Sequence, residues 1–201
     1  AKNLAFILPA GKYIGNSRYK DVFAASGMAD LTSFRNHWGA ETSLDVELYR
    51  PVARYELVAK DVATFLNKLS TGGLKGESFT ARVKYSDYLP TGYNLWDDVP
   101  KNSLMYMEYK VAFERPADGT KELILGFDYV LTDAGETVSI PVELEILNEK
   151  NEVLARTAFR IPCERGKNTT VRGNFLTSDA NGGIGIDPDY DGDLEVDLGE
   201  L

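Results

Sequence analysis

The chain has 201 residues, 43% of them apolar and 26% charged, and a formal net charge of −9. This is a globular rather than a disordered composition, with enough length for one large all-β domain or two small ones. The acidic balance argues against a nucleic-acid partner, whose phosphates would repel the surface, and no apolar run approaches the roughly 18 residues of a membrane-spanning helix.

Residues 1–45 read as irregular. A short apolar run from Leu4 to Leu8, closed by Pro9-Ala10-Gly11, predicts one strand and a turn. From there to Trp38, Gly, Ser, Asn and aromatics alternate with no period. Residues 45–60 are strand-like. Ala53, Tyr55, Leu57 and Ala59 share one face, and Arg54, Glu56 and Lys60 the other. Pro51 has no N–H for a ladder, so the strand starts there or lies at an edge. The period then changes. Val62, Phe65, Leu66 and Leu69 stand at helical spacing, Asp61 is placed to cap the helix, and Thr71-Gly72-Gly73 stops it.

From Ser78 onward the pattern is β. Strands are expected over 78–85, 103–113, 122–131, 138–147, 152–161, 168–176 and 184–196, with turn chemistry at Asp118-Gly119, Asp133-Ala134-Gly135, 148–151 and Arg165-Gly166. Many strands joined by short turns favour a sandwich over βαβ units. The expected fold is an all-β, mainly antiparallel sandwich with one short helix near 61–69. Its expected division is a partial N-terminal β or irregular region over 1–45 and a sandwich domain over 46–201. For the hairpin over 138–161, a two- or four-residue turn sets Ile146 opposite Val153, Leu144 opposite Ala155, Ile140 opposite Phe159 and, on the outer face, Glu143 opposite Arg156.

Few residues offer chemistry. The single cysteine, Cys163, excludes an intrachain disulfide and reads as a small buried hydrophobe. As a nucleophile it would need the lone histidine, His37, which sits in an irregular stretch. The acidic run 187–195 begins like a calcium loop, with alternating carboxylates before Gly192. It fails where a bidentate Glu belongs, because Leu198 stands there, and a solvated acidic tail is the expectation. There is no nucleophile elbow and no P-loop, and the Gly-rich stretch at 182–185 opens a strand rather than a helix. Any acidic protein offers carboxylate pairs of the kind glycosidases use, by chance alone. The reading is therefore no catalysis, no cofactor and no metal. Tyr85, Tyr88, Tyr93 and Trp96 cluster in a Pro/Gly stretch. Tyr88, Tyr93 and Trp96 are the candidate binding aromatics if exposed, able to stack on sugar rings or on a partner; otherwise these rings close one end of the sandwich. Asn168-Thr169-Thr170 fits an N-glycosylation pattern, a short motif that carries little weight by itself.

The C-terminal stretch has a basic residue and threonines leading into Val171, then Gly173-Asn174-Phe175-Leu176-Thr177, and later Ile186-Asp187-Pro188-Asp189-Tyr190-Asp191-Gly192-Asp193. It resembles the signature of the fimbrillin-like (major and minor fimbrial subunit) family of Bacteroidetes. Further blocks are similar to that family's in the same order: Asp21-Val22-Phe23-Ala24, the run from Leu48 to Arg54, the run from Tyr88 to Asn94, and Asp128-Tyr129-Val130-Leu131. The resemblance implies a transthyretin-like sandwich over 46–201. It further implies a fimbrial or adhesin-like subunit exported to the cell surface or outer membrane, anchored by a lipid outside this sequence. Its partners would be other fimbrial subunits taken up by strand exchange, with host proteins or glycans as further candidates. No catalytic residue is carried over, because the family has no catalytic motif. The short N-terminal region departs from the family pattern, so an incomplete N-terminal sandwich is expected there, with the strand at 184–196 as a donor. The rival reading is a carbohydrate-binding module or accessory domain of a surface glycan-processing system.

Overall fold

The computed structural model describes residues 3–5, 13–37, 39, 41–178 and 194–197. In chain order the elements are β1 (Asn3–Ala5), β2 (Val52–Ala59), α1 (Val62–Ser70), β3 (Ser78–Tyr85), β4 (Leu89–Asn94), β5 (Val99–Leu104), β6 (Glu108–Glu114), β7 (Leu123–Leu131), β8 (Thr137–Asn148), β9 (Val153–Glu164), β10 (Asn168–Gly173) and β11 (Leu194–Asp197). They form an all-β sandwich with one short helix. One four-stranded sheet runs β11-β10-β2-β7 and the other β6-β3-β8-β9, and a small sheet, β1-β4-β5, stands beside them. Among the described residues no helix is long and apolar enough to cross a membrane.

Strict alternation makes the core. Phe79, Ala81, Val83 and Tyr85 of β3 point inward, as do Val142, Leu144 and Ile146 of β8, and meet Tyr55, Leu57 and Ala59 of β2 from the facing sheet. Helix α1 closes one end. Its Phe65 is fully buried and lies edge-on to Phe79, with ring centroids 5.1 Å apart, a burial that contributes roughly 1.5–3 kcal/mol. A smaller cluster of Val52, Tyr93, Tyr129 and Leu131 sits under the small sheet.

Several expectations need correction. β10 runs parallel to both β2 and β11, so the sheet is mixed. Of the two readings of Pro51 the first holds: β2 starts directly after it and lies inside its sheet. Asp61 precedes α1 but makes no side-chain cap. Its carboxylate is taken by another segment and accepts from Leu176 N (3.0 Å), Thr177 N (2.8 Å) and Thr177 Oγ1 (2.7 Å). The expected strand at 103–113 is broken between β5 and β6, where Tyr106 takes a left-handed φ of 59°. The Pro/Gly stretch expected as a loop contains β4. Among the described residues β1 pairs with Gly92, Tyr93 and Asn94 of this strand, and β5 pairs along its other side.

The hairpin register also differs. Ile140 faces Ile161, Val142 faces Phe159, Leu144 faces Thr157 and Glu145 faces Arg156, two residues from the expected pairing. Asn148 N–H donates to Glu152 O at 3.0 Å and Asn151 takes φ 61°, so the loop holds three residues, not two or four. The ladder then steps from Leu147↔Val153 to Ile146↔Ala155, which leaves Leu154 as a bulge. Each irregularity moves the register by one, and a shift of two keeps every side chain on its expected face.

The first part of the chain packs into the sandwich through Tyr13 and the wholly buried Lys20. Residues 6–8 of the expected first strand, Trp38, the acidic run 187–193 read against a calcium loop, and residues 184–193 of the expected last strand lie outside the described residues.

Candidate functional site

The stretch 85–106 carries the aromatics singled out in the sequence, and the structure separates them. Tyr88 is 64% and Trp96 69% exposed, whereas Tyr93 is fully buried, so Tyr93 is corrected from a candidate binding ring to a core residue. The strand pleat explains the split. Leu89, Thr91 and Tyr93 turn inward along β4, and Tyr88 and Trp96 stand just outside its two ends. No ring contact joins Tyr88 to Trp96 among the described residues.

Tyr93 anchors the turn that displays Trp96. Its hydroxyl donates to Asp98 O at 2.8 Å and Asp98 Oδ1 at 2.9 Å. Asp98, at φ 60°, also accepts from Arg165 Nη1 (2.8 Å) and Nη2 (2.5 Å) and from Tyr49 Oη (2.7 Å). The Arg165 hydrogen bonds outweigh partial burial and hold the Asp98 carboxyl at about 2. Arg165 stacks on Tyr49, 4.3 Å from the ring centroid. Within the turn, Asn94 Oδ1 accepts from Trp96 N at 3.1 Å, fixing the indole at its tip.

Behind Tyr88 lies a cleft of about 240 Å³. Asp87, Tyr88 and Pro90 form one side; Thr132, Asp133 and Pro141 form the other. Thr132 is 1% exposed, and its Oγ1 and Asp133 Oδ1 are buried with no hydrogen-bond partner among the described residues. Both atoms are enclosed by the protein and turn no surface to the cleft. The exposed Asp87 carboxylate beside the exposed Tyr88 ring suits a polyol, whose hydroxyls hydrogen-bond while its C–H face stacks on the ring.

Two charged clusters were not read from the sequence. On the outer face of the β3-β8-β9 sheet, Glu145 is wholly covered and is held by Arg82 Nε (2.6 Å), Arg156 Nε (2.9 Å) and Lys84 Nζ (3.0 Å). Burial pushes its carboxyl up, but the Lys84, Arg82 and Arg156 hydrogen bonds prevail and leave it at about 2. Inside the sandwich, the Lys20–Asp128 ion pair is enclosed by Tyr13, Tyr55, Tyr85 and Tyr109. Asp128 did carry a signal, an acid within the apolar run 123–131. Lys20 carried none.

Cys163 faces the core of β9, where burial pushes its thiol up to about 12, and His37 is exposed on a distant segment. No group of three or more His, Cys, Asp or Glu could hold a metal among the described residues.

No curated protein matches the chain. Among solved structures, the chain has some likeness to a crystal structure of a "putative cell adhesion protein" from Bacteroides ovatus. The identity is 14% and the TM-score 0.31, over 62% of this chain and 41% of that one. The chain thus spans less than half the length of that protein. A family match extends over residues 1–199, nearly the whole sequence, and on that match the chain belongs to DUF6562, a family of unknown function.

Proposed function

We propose that the chain is a cell-surface structural subunit, fimbrial or adhesin-like, that works by attachment and assembly and not by catalysis. The observation that carries this reading is where the exposed apolar side chains fall. Among the described residues most of the large ones lie in two segments, with Phe23, Met28 and Leu48 in 19–48 and Tyr88, Trp96 and Tyr106 in 88–106. The segments adjoin where Tyr49 donates to Asp98. Concentrated apolar exposure on a rigid β scaffold suits a partner surface. The ordered sequence blocks shared with fimbrillin-like proteins support the same reading.

The partners in this proposal are further subunits joined by strand exchange. Four residues of β11 lie at the open side of β10, at the edge of the mixed sheet, where an incoming strand could take their place. Two experiments test the reading. Protease treatment of intact source cells should remove the protein while a cytoplasmic marker survives; protection of both would sink the surface assignment. Light scattering of the purified protein, and of a form truncated after Gly183, should show association that changes on truncation. Unchanged folding and association would remove strand exchange.

A second reading, carbohydrate binding, is favoured by the exposed Tyr88 ring beside a cleft that Asp87 also lines. Titration calorimetry with a monosaccharide panel should then give heats that vanish in Tyr88→Ala. No heat with any sugar would remove this reading and leave the subunit reading standing.

A further inference from the structure

Lys20 and Asp128 come from distant parts of the chain, an irregular segment and the middle of β7, and each side chain is 0% exposed. Lys20 Nζ lies in direct contact with Asp128 Oδ1. Tyr13 bridges the same pair on its other side. Its hydroxyl accepts from Lys20 Nζ at 2.6 Å and donates to Asp128 Oδ2 at 2.6 Å. Tyr85 Oη donates to that same oxygen at 2.7 Å, and Tyr129 N donates to Oδ1 at 2.9 Å. With Tyr85's proton committed to Asp128, Tyr55 donates to Tyr85 at 2.6 Å, and Tyr109 in turn to Tyr55 at 3.2 Å. The carboxyl group is thus fixed in place from several sides.

Taking two ions out of water is costly, and transferring one proton between them removes both charges. Burial lowers the Lys20 ammonium toward its neutral form, against the pull of Asp128. Tyr13 supplies the path: Nζ gives a proton to the Tyr13 oxygen while Tyr13 passes its own to Oδ2. The products are a neutral amine and a neutral carboxylic acid in contact, a nucleophile and an electrophile with no water layer between them. Holding two reactants this way replaces a bimolecular encounter with a unimolecular step. Oδ1 is then the carbonyl oxygen, and Tyr129 N, which donates to it, is placed to stabilise charge that develops there.

We propose that Lys20 and Asp128 condense into an intrachain isopeptide bond that ties the N-terminal segment to the centre of the sandwich. The Nζ lone pair attacks Asp128 Cγ, and a C–N bond forms. A proton moves from nitrogen to the hydroxyl oxygen, the C–O bond breaks, and one water leaves. Nothing is oxidised or reduced, and no co-reactant is needed. Tyr13 and Tyr109, which enclose the pair, also line a hollow of about 610 Å³. This inference does not depend on the surface reading above.

The test is the intact mass of the purified folded protein, measured after denaturation, followed by a tryptic map. The bond makes the chain lighter than its sequence by one water. It also blocks cleavage after Lys20, so the map should hold a branched peptide joining residues 19–35 to residues 122–150. Lys20→Arg should return the mass to the sequence value. A folded wild-type protein at its full sequence mass, with the linear peptide ending at Lys20 released, overturns the proposal. So does a water loss that maps to any other residues.

Discussion

Glu145 shows how one carboxylate can be both covered and ionised. Its two oxygens are shared among Arg82, Lys84 and Arg156, which remain partly exposed and carry the solvent contact for the group. Its folded pKa of about 2 lies below the ordinary 4.5. A carboxyl depressed by folding contributes stability that is fully present above its unfolded pKa and is lost as pH falls through the folded one. The contribution is on the order of 2 kcal/mol after screening at the exposed cations. Glu145→Gln should lower stability at pH 7 by about that amount and should flatten the fall between pH 4.5 and about 2. Urea midpoints measured across that range check both effects, and an unchanged slope would contradict the assignment. The sequence offered Glu143 as the partner of Arg156. Glu143 does lie within ion-pair reach of Arg156, 3.8 Å from its Nε, but the residue directly opposite is Glu145, because a bulge at Leu154 and the length of the loop set the register.

At the scale of elements, α1 is held by a contact that local sequence rules assign elsewhere. Asp61 stands where a capping side chain belongs, yet it accepts three hydrogen bonds from residues 176–177, more than a hundred positions away. Asp61→Ala should cost about 2–3 kcal/mol, because buried donors lose their acceptor, and chemical denaturation followed by circular dichroism measures it. A cost of about 1 kcal/mol would instead mark a local cap. Gly126 in β7 is a second such point. It has φ 152°, and a Cβ there would stand 3.1 Å from Val111 Cγ2 and 3.3 Å from the Tyr109 ring. Gly126→Ala should destabilise by about 1–3 kcal/mol in the same assay. Strands with clean alternation, such as β3 and β8, were legible almost to the residue, because burial on one face writes itself into the sequence. β4 was not legible, since Pro90 and Gly92 mask the strand. Nor was the break at Tyr106, where a non-glycine residue takes a left-handed turn without any sequence mark.

For the whole molecule, the two kinds of aromatic in the 85–106 stretch should separate stability from binding. Tyr93→Ala empties a core position and should cost about 3–5 kcal/mol. Trp96→Ala and Tyr88→Ala should stay within about 0.5 kcal/mol of wild type while weakening partner association in the light-scattering assay. Thermal denaturation of the three variants checks the first part; a large loss in Trp96→Ala would place the indole in the fold rather than on its surface. The sequence marked this region as aromatic and rich in turns, but which ring faces inward depends on the pleat of a strand that could not be foreseen. The candidate cleft behind Tyr88 was equally hidden, because part of its opposite side comes from the end of β7, over forty residues further along the chain.

The position of β2 inside its sheet has a consequence for timing. Its neighbours are β7 and β10, which begin at Leu123 and Asn168, long after β2 ends at Ala59. When the chain is made from its N-terminus, β2 therefore emerges with both hydrogen-bonding edges open; β7 can close one once Leu131 is made, and the other stays open until Gly173 has followed. At about 5–20 residues per second this interval is on the order of ten seconds. A strand with an open edge and an apolar face is a template for wrong pairing over that interval. Anything that covers β2 until β10 is made would remove that exposure.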